Sequence, residues 1–100
     1  AVREPAADLG VVAAVLSSVR GLPVDPTWAF FGEVGLGGEI RRVAQPDKRL
    51  MELARLGFTR AITARGGTEA VAAGTGIATV GLSHVGELAE LVAASKMRFD

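Results

Sequence analysis

"FFGEVGLGGEIRRV", residues 30 to 43, sets two strand-forming runs around a glycine-rich centre and ends in two arginines. Such a cluster reads as a dinucleotide loop, a phosphate cradle or a hairpin turn. A dinucleotide fingerprint needs G-x-G-x-x-G between a strand and a helix. Gly35, Gly37 and Gly38 follow a strand-like run, but Ile40 stands at the third glycine position and a second strand-like run replaces the helix. A Walker loop needs Lys and then Ser or Thr after its last glycine, and here Glu39 and Ile40 follow. The hairpin is the reading that survives, because glycine supplies the positive φ that a tight turn demands. Period-two alternation then puts Ile40 and Arg42 on one face of the second strand and Arg41 and Val43 on the other.

Outward from the hairpin the pattern turns helical. Residues 5–20 place Leu9, Val12, Ala13, Leu16 and Val19 at helical spacing, with Pro5 in the first turn and Gly21 and Pro23 closing the segment. Val11 and Val15 widen the apolar stripe, which predicts a deeply buried helix. "TWAFFGEV", 27–34, reads as one strand, with Gly32 marking a bulge or a close backbone approach. Pro46 opens a helix to about Leu56, with Leu50, Leu53 and Ala54 inward and Lys48, Glu52 and Arg55 on its outer face, where they can pair. "FTRAITA", 58–64, is a third strand. The glycine- and alanine-rich residues 65–76 read as a mobile loop. "IATVG" is a fourth strand, and Ser83 is expected to cap a last helix carrying Val85, Leu88, Leu91 and Val92. The order α–β–β–α–β–loop–β–α predicts an α/β fold, an α+β sandwich, as a single domain over 1–95 with residues 96–100 as a tail. A helix of this kind at the start, with nothing before it to cover a sheet, leads us to expect that the chain is the C-terminal part of something longer.

The chain has 100 residues, no cysteine and a formal net charge of zero. The lack of cysteine excludes disulfides and cysteine-based zinc sites and fits a cytoplasmic setting. No apolar run is long enough to span a membrane, and no secretory signal opens the chain. Charge is uneven: residues 41–65 carry seven basic side chains against Asp47 and Glu52, a net +5, which leaves −5 for the rest. Such a segment can form an anion-binding face, although charge counting alone also fits a solvated surface. The aromatics Trp28, Phe30, Phe31 and Phe58 fall in strands, where core packing is the commoner role.

Catalytic groups are scarce. His84 is the sole histidine, so neither a zinc site nor a histidine-based triad is expected, and no metal ligands are assigned. Ser–Lys chemistry needs a nucleophile beside a neutral amine. Ser17 and Ser18 fall near the end of the first helix, and Lys48 sits next to Asp47, where it stays protonated.

Three motifs in order, "EPAADL" from Glu4, the hairpin, and "KRLMELARLGF" from Lys48, resemble the C-terminal domain of the bacterial RadA (Sms) DNA-repair family. That family shows an E-P-A-A-D-L helix start, a G-E-V-G-L-x-G-E-[IV]-R hairpin and an R-L-x-E-A-x-x-L-G-F helix. The resemblance runs from about Arg3 to Leu91. The family commonly has Arg-Pro-Val after the hairpin, whereas this chain has Arg42 in the proline position.

The resemblance implies a fold like the proteolytic domain of Lon protease, a ribosomal-protein-type β-α-β fold, here without its first strands. The Lon serine falls on Ala6 and the Lon lysine near Asp47, so the implied domain lacks a protease dyad, binds no cofactor and is not an enzyme. The full-length protein is implied to be a bacterial cytoplasmic DNA-dependent ATPase, helicase-like, using ATP, magnesium and zinc. Its implied partners are single-stranded or branched DNA and its own copies in a hexameric ring, with no membrane contact. Within the domain, the candidate DNA contacts are Arg41, Lys48, Arg49 and Arg60, with Arg42 and Arg55 next. Two other readings stand beside this one: a Lon-like serine peptidase with an unorthodox nucleophile such as Ser17, and a purely structural oligomerisation module.

Overall fold

The protein is described from a computed structural model, for the backbone at residues 5–66 and 69–98 and for side chains at 6–66 and 72–94. A 3-10 turn, Pro5–Ala7, leads into helix α1 (Asp8–Arg20). Strand β1 (Trp28–Phe31) and a hairpin of β2 (Glu33–Val34) and β3 (Ile40–Arg41) follow. Then come α2 (Pro46–Arg55), β4 (Arg60–Ala64), α3 (Glu69–Thr75), β5 (Ala78–Leu82) and α4 (Val85–Arg98). The expected α/β class is observed.

β1, β4 and β5 form a parallel sheet in the order β1-β4-β5, while β2 and β3 pair antiparallel as a separate ribbon. Parallel strands need long crossovers. The hairpin with α2 supplies the first and α3 the second. α1 packs with α4, and α2 with α3. Alternation along β4 sends Ile62 and Ala64 into a core with Leu9, Ala13, Ile40, Leu82, Leu88 and Val92. Ala61 joins Phe31, Leu50, Ala72 and Ile77 in a second cluster. A central parallel strand covered on both faces must be apolar on both faces, which is why "AIT" sits there.

The run 27–34 is two strands. Gly32 breaks it, because its backbone is claimed by α1: its N–H donates to the Ala6 carbonyl at 2.9 Å, and its carbonyl accepts from Leu9 N–H at 3.0 Å. A Cβ at Gly32 would sit 3.1 Å from Ile40 Cγ2, so the close backbone approach expected from the sequence is real. Asp8 completes the junction. Buried at the helix start, it accepts the Val34 N–H on Oδ2 at 3.2 Å. The first two sequence motifs are therefore one structural joint. We predict that Asp8→Ala costs about 1.5–3 kcal/mol, the range for a hydrogen bond to a charged group, read as a lower urea midpoint. An unchanged midpoint would show that the hairpin is held without Asp8.

Four expectations are corrected. Residues 65–76 are not a loop throughout, since α3 spans Glu69–Thr75. Its alanines are good helix formers that the surrounding glycines concealed, and Ala72 is buried in the cluster around Leu50. α1 is not buried all round: Val11, Val15 and Val19 are 61%, 55% and 79% exposed. Its sheet-facing side is the narrower one through Leu9 and Ala13. The cap of α4 is His84 rather than Ser83, as described below. α4 also continues to Arg98, into the segment read as a tail. Among the described residues no helix is long and apolar enough to cross a membrane.

Candidate nucleic-acid interface

In the parallel sheet every strand ends at the same side, and the loops there gather side chains from distant sequence positions. Arg41 and Arg42 leave the hairpin at this carboxyl end, α2 begins there with Lys48 and Arg49, and Arg65 follows β4. Arg60 starts β4, five residues earlier than Arg65, or roughly 16 Å away along an extended strand. α2 runs back between the two ends, so Arg55 in its last turn lies toward the Arg60 end. The basic segment 41–65 is thus two groups. Arg41, Arg42, Lys48 and Arg49 are brought to one end; Arg55 and Arg60 are not.

The members differ in how they are held. Arg41 lies between two carboxylates, 3.6 Å from Glu33 Oε1 and 3.5 Å from Glu39 Oε2. Arg42 Nε donates to the Arg65 carbonyl at 3.3 Å. Arg49 Nε donates to the Ala44 carbonyl at 2.9 Å, which fixes the guanidinium over the α2 start. Lys48 is exposed and makes no ion pair among the described residues. Arg55 pairs with Glu52 at 3.5 Å, as the outer-face spacing predicts. Arg60 stacks over the half-buried Trp28 ring, 4.9 Å from its centroid. Arg65, counted in the basic segment but not picked as a contact, pairs with Glu87 at 3.0 Å.

Lys48 and Arg49 also line an open cleft of about 410 Å³ with Phe30, Phe31, Gln45, Glu52 and Leu53. Gln45 stands immediately before α2 with φ 54° and ψ 53°, the one non-glycine residue with positive φ among those described. Sequence reasoning passed over Gln45. The available signal was the following Pro46, which disfavours right-handed helical geometry in the residue before it.

The two positions on which the Lon resemblance would place a protease dyad are structurally distinct. Ala6 is buried at the α1 junction and offers only a methyl group. Asp47 is exposed in the first turn of α2. Ser17 Oγ donates to the Leu22 carbonyl at 2.5 Å, a bond that closes the end of α1 and occupies the hydroxyl proton.

Carboxylates brace this end of the molecule. Glu39 is held below its ordinary pKa of 4.5 by its own backbone N–H, by Gly37 N–H and by the Arg41 charge. Glu87 is likewise lowered, chiefly by Ser83 N–H, then by His84 N–H and Arg65. For a carboxylate with a depressed folded pKa, the stabilisation is complete above 4.5 and disappears as pH falls through the lowered folded value. We therefore predict that the hairpin and the start of α4 loosen only below about pH 4.5 on account of these acids, read as line broadening of the Gly37 and Glu87 amides. Gly37 and Glu87 amides that stay sharp after both carboxylates have protonated would contradict it.

No protein-family model matches the chain. It is 42% identical over 89 residues to the DNA repair protein RadA of Streptococcus pyogenes, covering 89% of this chain and 20% of that protein. The RadA of Synechocystis sp. is 48% identical over 80 residues, 80% of this chain and 16% of the relative. The RadA of Bacillus subtilis is 42% identical over 84 residues, 84% and 18% respectively. The chain thus spans a fifth or less of the length of these curated relatives. By these identities the chain is similar, over four fifths or more of its own length, to a segment of the DNA repair protein RadA.

Proposed function

We propose that the chain is a Lon-protease-like domain from the C-terminal part of a RadA-type protein, without a working dyad, that binds the DNA backbone and helps build a ring. One observation supports the DNA half of the reading: Arg41 and Arg42 leave the hairpin, and Lys48 and Arg49 open α2, at the carboxyl end of the sheet. Cations fixed on a rigid scaffold and open to solvent contact phosphates without reading bases. Arg60 and Arg55 fall outside this surface and act locally, on Trp28 and Glu52. The assembly half is supported by the exposed valines of α1, an apolar stripe of the sort that protein contacts cover. For the whole protein the reading extends to a DNA-dependent ATPase using ATP, magnesium and zinc, hexameric and cytoplasmic.

The inactive reading is supported by Ala6 and Asp47, since neither a methyl group nor a carboxylate can replace a serine–lysine pair. The competing peptidase reading needs Ser17 Oγ free to attack, and Ser17 is engaged with Leu22. Casein cleavage that Ser17→Ala abolishes would reverse this conclusion.

The DNA test is salt dependence in the assembled protein. Removing one side chain that neutralises a phosphate softens the slope of log affinity against log salt by about one unit. Arg41→Glu with Arg49→Glu should therefore lower the slope by about two units and weaken binding on any sequence, while Arg60→Glu leaves the slope unchanged. Wild-type slope in the double variant would remove the interface, leaving a purely structural module.

A further inference from the structure

α4 begins with a histidine where Ser, Thr, Asp or Asn is usual. His84 Nδ1 accepts the Gly86 N–H at 3.0 Å. Glu87 Oε1 returns to the Ser83 N–H at 2.8 Å and the His84 N–H at 3.1 Å. This is a reciprocal capping box with imidazole as the N-cap acceptor. A nitrogen that accepts an N–H carries no proton, so the neutral ring holds its proton on Nε2. Nε2 lies 2.9 Å from the Gly37 carbonyl at the hairpin tip, placed to donate to it. The backbone reinforces the contact: Val85 N–H donates to the Gly38 carbonyl and Ile40 N–H to the Ser83 carbonyl, each at 2.9 Å.

We propose that His84 is a proton-operated latch that ties the hairpin tip to α4 when neutral and releases it when protonated. One proton from solvent adds to Nδ1, which then cannot accept from Gly86 N–H. The cap is lost, and two N–H groups face each other. The positive charge also opposes the positive end of the α4 dipole. The charged groups around the ring are already committed. Glu87, on α4, is held by the Ser83 and His84 amides and by Arg65, which follows β4. Glu39, on the hairpin, takes Gly37 N–H at 3.1 Å and faces Arg41. The hairpin that loosens carries Leu36, fully exposed at its tip, and Arg41 at its base.

Ring-nitrogen NMR of labelled histidine, with amide exchange followed from about pH 5 to 8, where an imidazole changes charge, tests the latch. The neutral ring should show the Nε2–H tautomer. Corrected for intrinsic chemistry, exchange at Val85 and Ile40 should rise about tenfold as the ring protonates, the scale of one broken cap bond. His84→Asn retains a cap acceptor without a titrating ring, and its exchange should change by less than about twofold over the same range. An Nδ1–H tautomer, flat exchange in the wild type, or the same pH response in His84→Asn each overturns the proposal. The wild-type measurements decide it even where the variant folds poorly.

Discussion

Replacing Ile62 by Ala should cost about 3 kcal/mol and lower the melting temperature by about 15 °C. Ile62 is fully buried. It sits in the middle of β4, paired in register with Phe30 on one side and Val80 on the other. Its side chain fills the space between Leu9 of α1 and Leu88 and Val92 of α4. Two helices and two neighbouring strands meet on it, and none can move in without leaving its own strand or helix partner. The cavity therefore stays open, and the penalty includes a cavity term as well as lost transfer energy. A domain of this size has about 5–15 kcal/mol in hand, so the variant should fold but melt early. Leu50→Ala removes a fully buried side chain from the opposite face and should cost a similar amount. The two costs should nearly add, since the sheet separates the sites. Leu56→Ala, at a site 64% exposed, is the control and should change stability by less than about 0.5 kcal/mol. If urea unfolding does not distinguish Ile62→Ala from Leu56→Ala, the two-sided core described above is wrong.

Gly38→Val should be as damaging, for a different reason. Gly38 has φ +86°, where a β-branched side chain is strained by about 1–2 kcal/mol. A Cβ there would also fall 2.6 Å from His84 Nε2 and 3.2 Å from Val85 Cγ2. Relief of that clash pushes the imidazole off the Gly37 carbonyl and disturbs the α4 cap, worth about another 1 kcal/mol. The total is about 3 kcal/mol. Gly57→Ala separates the two causes, because Gly57 has φ +94° with nothing within 4 Å of a built Cβ. It should show the conformational cost alone, about 1 kcal/mol. Equal thermal shifts in Gly38→Val and Gly57→Ala would mean that His84 does not pack on the hairpin tip.

The hairpin, α2 and α4 were legible because their signals are local. The left-handed turn at Gly38, Pro46 at a helix start and the apolar stripe around Leu50 each follow from residues within one or two turns. The break at Gly32 was legible as a glycine out of place, but its cause, the Ala6 carbonyl and Leu9 N–H of another element, was not. α3 was missed because Gly66, Gly67, Gly74 and Gly76 made its surroundings read as a loop, although its alanines favour a helix and Ala72 shares a buried cluster with Leu50. The breadth of the α1 stripe misled in the other direction, since helical periodicity shows that Val11 and Val15 are apolar and not whether anything covers them.

The candidate site divides in the same way. Seven basic residues within 25 positions could be counted from the chain, yet β4 sets Arg60 and Arg65 at opposite ends of the sheet, roughly 16 Å apart. His84 was visible as a lone histidine at a helix start. Its pairing with Gly37, 47 residues away, depends on β5 and the hairpin meeting at one end of the sheet. The linear order of residues determined the α/β class, the turn at residues 35–38 and the likeness to RadA, because each rests on short-range backbone preference or on motif identity. Tertiary structure alone decided which end of the sheet each arginine reaches, which valines stay exposed and that His84 meets the hairpin tip, because these depend on contacts closed across long stretches of chain.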